Sequence, residues 1–125
     1  MANKHFEARY ERGVNKIDIG LNLLLWQDEE MHYVYAPTLD ITGYGISDLA
    51  ATESFEFNLQ QFIDYTANKK TLFDELEKLG WTVNKKKGRI HAPEEKDLLE
   101  DNETYREVLN RPGVSTKTKQ VAMAL

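Results

Sequence analysis

The chain has no cysteine among its 125 residues. That excludes disulfides, thiolate nucleophiles and cysteine-ligated zinc, and it fits a reducing compartment. Histidine is scarce, and His5, His32 and His91 stand far apart. Metal ligation and general-base catalysis need a constellation, so each reads as a structural or surface residue. Long apolar runs are missing. The most apolar stretch, Leu21 to Trp26, falls far short of the roughly 18 residues of a membrane span. Met1 to Arg12 is polar and charged, without the apolar centre of a signal peptide. A cytoplasmic protein with no membrane association is expected. Basic charge is in deficit, 16 Lys and Arg against 21 Asp and Glu, for a net charge of −5. That balance argues against non-specific nucleic-acid binding and suits a basic partner.

What is present is ordinary for a globular domain: 41% apolar and 30% charged residues. One domain covering residues 1–125 is expected, large enough to bury a core without staples. Residues 1–15 are polar. Ile17, Ile19, Leu21, Leu23 and Leu25 then alternate with Asp18, Gly20 and Asn22, the period of a half-buried strand. Leu24 and Trp26 break the alternation, so the far end of this strand is expected to be covered on both faces. A turn over Gln27 to Glu30 leads into a second strand, Met31 to Ala36, and a third, Leu39 to Tyr44. Pro37 lacks an N–H and belongs at an edge, bulge or strand end.

Ser47 is placed to cap a helix running to about Ala67. Ala51, Phe55, Leu59, Phe62 and Thr66 share one face, with Ile63 on its margin; that stripe should bury against the sheet. Phe57 projects from nearly the opposite side. Thr71 resembles the N-cap of a short helix, with Asp74 at the capping-box position and Gly80 just past its end. Trp81 to Asn84 and Arg89 to Ala92 can pair as a hairpin across Lys85-Lys86-Lys87-Gly88. Asp97 to Asn110 is helical in pattern, and Asn102 is able to cap a break within it. Arg111-Pro112-Gly113 ends that segment. Val121, Met123 and Leu125 alternate with alanines, a weak strand signal.

The candidate chemistry is thin. Asp18, Asp40 and Glu53 are the acids that a two-metal nuclease site of ribonuclease H type would use. Asp18 and Glu53 fall on the polar phases of their elements, so solvated surface acids are the better reading. Gly43-Tyr44-Gly45 is a lone G-x-G; a turn needing unusual backbone angles explains it better than a phosphate cradle. There is no P-loop and no G-x-S-x-G motif. The basic run Lys85 to Arg89 reads as a solvated hairpin tip, since no stacking aromatics alternate with it. No catalytic residue, metal ligand or cofactor is assigned. The aromatics carry more. A domain this small cannot easily bury Trp26, Tyr33, Tyr35, Tyr44, Phe57 and Trp81 together, and surplus aromatics often anchor protein interfaces. Tyr33, Tyr35, Tyr44 and Phe57 are candidate interface residues. So are Val121, Met123 and Leu125, which can complete the edge of their own sheet or that of a partner.

The run Tyr33 to Gly45, followed by Ser47-Asp48-Leu49-Ala50-Ala51 and Phe62-Ile63-Asp64-Tyr65, is similar to the HicB family of antitoxins. Pro37, Leu39, Gly45 and Ala51 fall where that family's pattern would place them, and Gly43 belongs to the same fold-shaping motif. The resemblance covers about residues 17–83, leaving about 94–125 as a C-terminal extension. It implies an α+β, partial ribonuclease H-like fold: a three-stranded antiparallel sheet carrying a long helix, with a short helix, a hairpin and a helix–strand extension. It implies a catalytically inert protein that forms homodimers or higher oligomers and masks a small, basic, HicA-type toxin that cuts messenger RNA. After Pro93 the expected order is helix, then strand. This departs from the ribbon-helix-helix of many relatives and argues against DNA binding. Two other functions fit the same chain: a metal-dependent nuclease in which Asp40, Glu53 and a further acid converge, and a free-standing oligomerisation module with no toxin.

Overall fold

The computed structural model describes residues 7–9, 16–87 and 89–124. The chain runs β1 (Glu7–Arg9), β2 (Lys16–Asp28), β3 (Met31–Ala36), β4 (Ile41–Gly45), α1 (Asp48–Lys69), α2 (Leu72–Lys78), β5 (Thr82–Asn84), β6 (Arg89–His91), α3 (Glu95–Asp101), α4 (Glu103–Leu109) and β7 (Ser115–Ala124). The fold is α+β. The main sheet has four strands rather than three, in the order β4-β3-β2-β7, and all its pairings are antiparallel. A second sheet has the order β1-β6-β5. The hairpin of β5 and β6 forms where the sequence placed it. β1, on the polar N-terminal stretch, was not anticipated.

The fourth strand of the main sheet is β7, which pairs with β2 from Lys16↔Ala124 to Leu25↔Ser115. The strand signal at Val121 and Met123 is therefore real, but the strand extends ten residues. Its first half, Ser115 to Gln120, hides from pattern reading because an edge strand need not be apolar. Val121 and Met123 are buried in the main core. They complete the edge of their own sheet and pack into its core. Leu125 lies outside the described residues.

The alternation in β2 sends Ile17, Ile19, Leu21 and Leu23 to the face beneath α1. There they pack with Val34, Ala36, Ala51, Phe55, Leu59 and Ile63. Ile63 lies at the centre of the helix stripe, and Phe62 is only partly buried, the reverse of the expectation. Leu24 turns the other way and joins Tyr35, Leu98, Tyr105 and Val108 in a smaller core beneath α3 and α4. The far end of β2 is thus covered on both faces, as its broken alternation implied.

Caps set the helix limits. Ser47 Oγ accepts from Ala50 N at 3.0 Å, and Lys70 takes a left-handed conformation with φ 55° to end α1. The capping box at Thr71 does not form: Thr71 makes no side-chain cap bond, and its buried hydroxyl has no partner among the described residues. Packing of Leu72 and Leu76, both buried, holds α2 without it. Gly80, with φ 95°, follows its end as expected. Asn102 does break the last helical segment, and its Oδ1 accepts from Tyr105 N at 3.0 Å. Leu39 is not in a strand; it sits buried in the turn before β4. Trp81 donates from Nε1 to Thr38 O at 2.8 Å, tying that turn to the α2–β5 connection.

Candidate protein-interaction surface

The segment Tyr33 to Gly45 spans β3, the turn and β4, and its neighbours on the two faces differ. Val34, Gly43 and Gly45 face α1. A Cβ on Gly43 would collide with the Phe55 backbone and lie 2.6 Å from Phe55 Cβ; one on Gly45 would lie 2.6 Å from Ala50 Cβ. Neither glycine has a positive φ. The expectation of unusual backbone angles is therefore wrong. These glycines are present because the helix lies almost on the strand backbone. Ala51, 1% exposed, serves the same close approach from the helix side.

This approach also closes the β4 edge. Tyr44 N donates to Ser54 Oγ at 3.2 Å, and Asn58 Nδ2 donates to Thr42 O at 2.7 Å. Two side chains of α1 thus stand in for a fifth strand, blunting an edge that would otherwise template pairing. At the start of the helix, His32 Nδ1 lies 2.8 Å from Asp48 Oδ1. That carboxylate is also favourably placed at the positive end of the helix dipole.

On the other face, Tyr35 is 1% exposed. It belongs to the core beneath α4, not to an interface. Its hydroxyl donates to Asp40 Oδ1 at 2.7 Å and accepts from Asn102 Nδ2 at 2.9 Å. Burial pushes this hydroxyl well above the ordinary tyrosine range, with the Asp40 carboxylate adding to it and Asn102 opposing. Tyr105, bonded to Glu95 Oε1 at 3.0 Å, is raised in the same way by burial and by Glu95. Asp40 is thus committed to a structural tether.

Beside this core runs a row of aromatics across three strands. Trp26 stands opposite Tyr33, and Tyr33 opposite Tyr44. Trp26 and Tyr33 stack with centroids 5.0 Å apart and planes 9° apart; Tyr33 and Tyr44 are 6.4 Å apart. Arg111 sits over the Trp26 ring at 5.8 Å and 3.5 Å from Asp28. Tyr33 is half-buried within the row. Tyr44, at the row's end, is 61% exposed.

Other large apolar side chains are open to solvent nearby in sequence: Ile46 at 81%, Leu49 at 69% and Phe57 at 65%. Tyr65, further along α1, is also exposed. Phe57 and Tyr44 are therefore exposed, as an interface role would need. Ile46, Leu49 and Tyr65 are equally exposed and were not among the sequence candidates. Leu49 and Tyr65 fall off the buried stripe by helical spacing, a signal the sequence did carry.

Among the described residues, no three His, Cys, Asp or Glu side chains are placed to hold a metal. Asp18 projects from the face of β2 opposite the one α1 covers, and Glu53 is exposed on α1. The convergence required by a ribonuclease H-type site is not formed. A cleft of about 420 Å³ lies between the turn before β4 and α3–α4, with Asp40, Asp97, Asp101 and Glu103 in its lining. No helix among the described residues is long and apolar enough to cross a membrane. No family model matches the chain, and comparison with curated proteins and with solved structures finds no match.

Proposed function

We propose that the chain is a non-enzymatic binding protein of HicB-like type. In this reading it self-associates and masks a small basic partner, a HicA-like toxin that cuts messenger RNA, within the cytoplasm. The observation that carries it is the exposure of Leu49 and Phe57 on α1 and of Ile46 just before it. Single exposed apolar residues are ordinary, but several large ones on and beside one helix support an interaction surface there. Phe57 lies on the side of α1 facing away from the sheet, where intramolecular packing has no use for a phenyl ring.

The hairpin, third strand and long helix are in the order expected of a partial ribonuclease H-like unit, which supports the family reading. The acidic balance, net charge −5, favours encounter with a basic toxin. The C-terminal strand is taken up by the chain's own sheet and follows α3 and α4, unlike the leading strand of a ribbon-helix-helix.

Co-expression with a HicA-type toxin tests the reading. Co-purification and rescue of growth are expected, and both should be lost on L49D/F57D with the melting temperature little changed. If wild type neither co-purifies with nor rescues cells from any such toxin, the antitoxin role is lost.

A further inference from the structure

The small sheet turns a different chemistry to solvent. Ile90, fully buried, and Val83, partly buried, pack β6 and β5 against the main core. Period two then sends Thr82 and Asn84 of β5, and Arg89 and His91 of β6, to the opposite face. They stand in register, Thr82 with His91 and Asn84 with Arg89. β1 continues both rows, with Arg9 in register with Arg89 and Glu7 with His91. Together with Lys87 from the turn, the hairpin side chains line an open hollow of about 360 Å³. Each lining residue carries a hydrogen-bond donor and none a carboxylate. Residues 78–93 hold no Asp or Glu.

The basic run is more than a solvated hairpin tip. Lys85 Nζ lies over the Phe73 ring, 5.8 Å from its centroid. Lys86 is exposed and outside the lining, and Lys87 alone of the three lysines belongs to it. Lys87 N donates to Asn84 Oδ1 at 3.1 Å. That bond ties the turn to β5 and occupies the acceptor of the Asn84 amide; its other polar atom, Nδ2, is a donor.

We propose that this hollow binds a compact, multiply charged phosphate group, carried as a phosphate monoester or pyrophosphate. The site is separate from the exposed apolar side chains of α1 and independent of any toxin. Lys87 and Arg89 supply the charge. The planar guanidinium of Arg89 is a fork suited to two phosphate oxygens, and Thr82 and Asn84 have donors for the others. An extended polyanion fits less well. Single-stranded RNA needs cations along a track and aromatics on which its bases stack. Here the cations gather in one hollow with no Phe, Tyr or Trp in its lining, on a chain whose net charge of −5 opposes a long anion.

The full chain, isotope-labelled, is titrated with pyrophosphate and with inorganic phosphate at constant ionic strength and followed by amide chemical shifts. Saturable shifts centred on residues 82–91 are expected, with a Kd for pyrophosphate of about 1 mM or below. K87Q and R89Q should each weaken binding roughly tenfold. K86Q removes the same charge one residue away and should weaken it less than about twofold. All three side chains are exposed, so the melting temperature should change little in each variant. No saturable response to either anion up to about 10 mM overturns the site. So does a K86Q variant as damaging as K87Q, because general charge rather than the hollow would then attract the anion. A single-stranded oligoribonucleotide that binds more tightly than pyrophosphate would make this face a nucleic-acid track and also overturns the proposal. None of these outcomes bears on the surface of α1, which the toxin experiment tests separately.

Discussion

The two faces of the main sheet are built on opposite principles. The face under α1 is held by shape: aliphatic side chains of β2, a long helix, and two glycines that let helix and strand backbones meet. The face under α4 is held by a smaller apolar core and a chain of hydrogen bonds from Asn102 through Tyr35 to Asp40. The first covers its strands densely and turns a side of α1 outward. The second leaves an aromatic row at its margin, ending in exposed Tyr44. Dense contact gives stability that depends on volume. A polar tether gives orientation, and its loss costs less.

The largest expected effect is on the α1 face. Gly43→Val drives a branched side chain into the Phe55 backbone, and helix and strand must separate. A loss of roughly 3 kcal/mol or more is expected, read by urea denaturation. A cost below about 1 kcal/mol would show that α1 can lift away and that the contrast between the faces is overstated.

Alkaline pH probes the α4 face. The hydroxyls of Tyr35 and Tyr105 hold their protons more tightly in the folded chain than a free tyrosine does. The unfolded chain releases them near the ordinary value of about 10. Their contribution is therefore fully present below that pH and declines as pH rises beyond it. Denaturation midpoints should hold steady up to that range and then fall, less steeply in Tyr35→Phe.

At neutral pH, Tyr35→Phe leaves Asp40 and Asn102 without their shared partner and should cost about 1–2 kcal/mol. Asn102→Ala loses both this bond and the cap of α4, with a similar cost. Since the two side chains touch, the double variant should cost clearly less than the sum. Strict additivity would mean that the tether is not a unit. The smallest effect on stability is expected at Phe57→Ser, within about 0.5 kcal/mol, because the ring is 65% exposed. A larger loss would place Phe57 in the fold rather than at an interface.

Much of the frame was legible in the chain because local rules govern it. Alternation marked β2, Ser47 marked the start of α1, and Asn102 marked the break between α3 and α4. Phe57 was legible as a surface residue from helical spacing alone. The interface candidates divided because pattern reports which face a residue takes, not what covers that face. Tyr35 and Tyr44 both point away from α1. Only the placement of α4 makes one core and leaves the other exposed. The motif glycines were noticed for the wrong reason, since a close approach and a positive φ both select glycine and sequence cannot separate them.

By itself, then, the sequence determined the α1-facing strand pattern, the long helix and its caps, the small hairpin and the lack of any residue set for thiol chemistry. These depend on periodicity, capping and composition, which act over a few residues. The tertiary structure alone decided that Ser115 to Ala124 joins β2, that Ser54 and Asn58 close one sheet edge, and that Asp18, Asp40 and Glu53 do not meet. Each of these depends on elements distant in the chain finding one another, and no short-range rule encodes that.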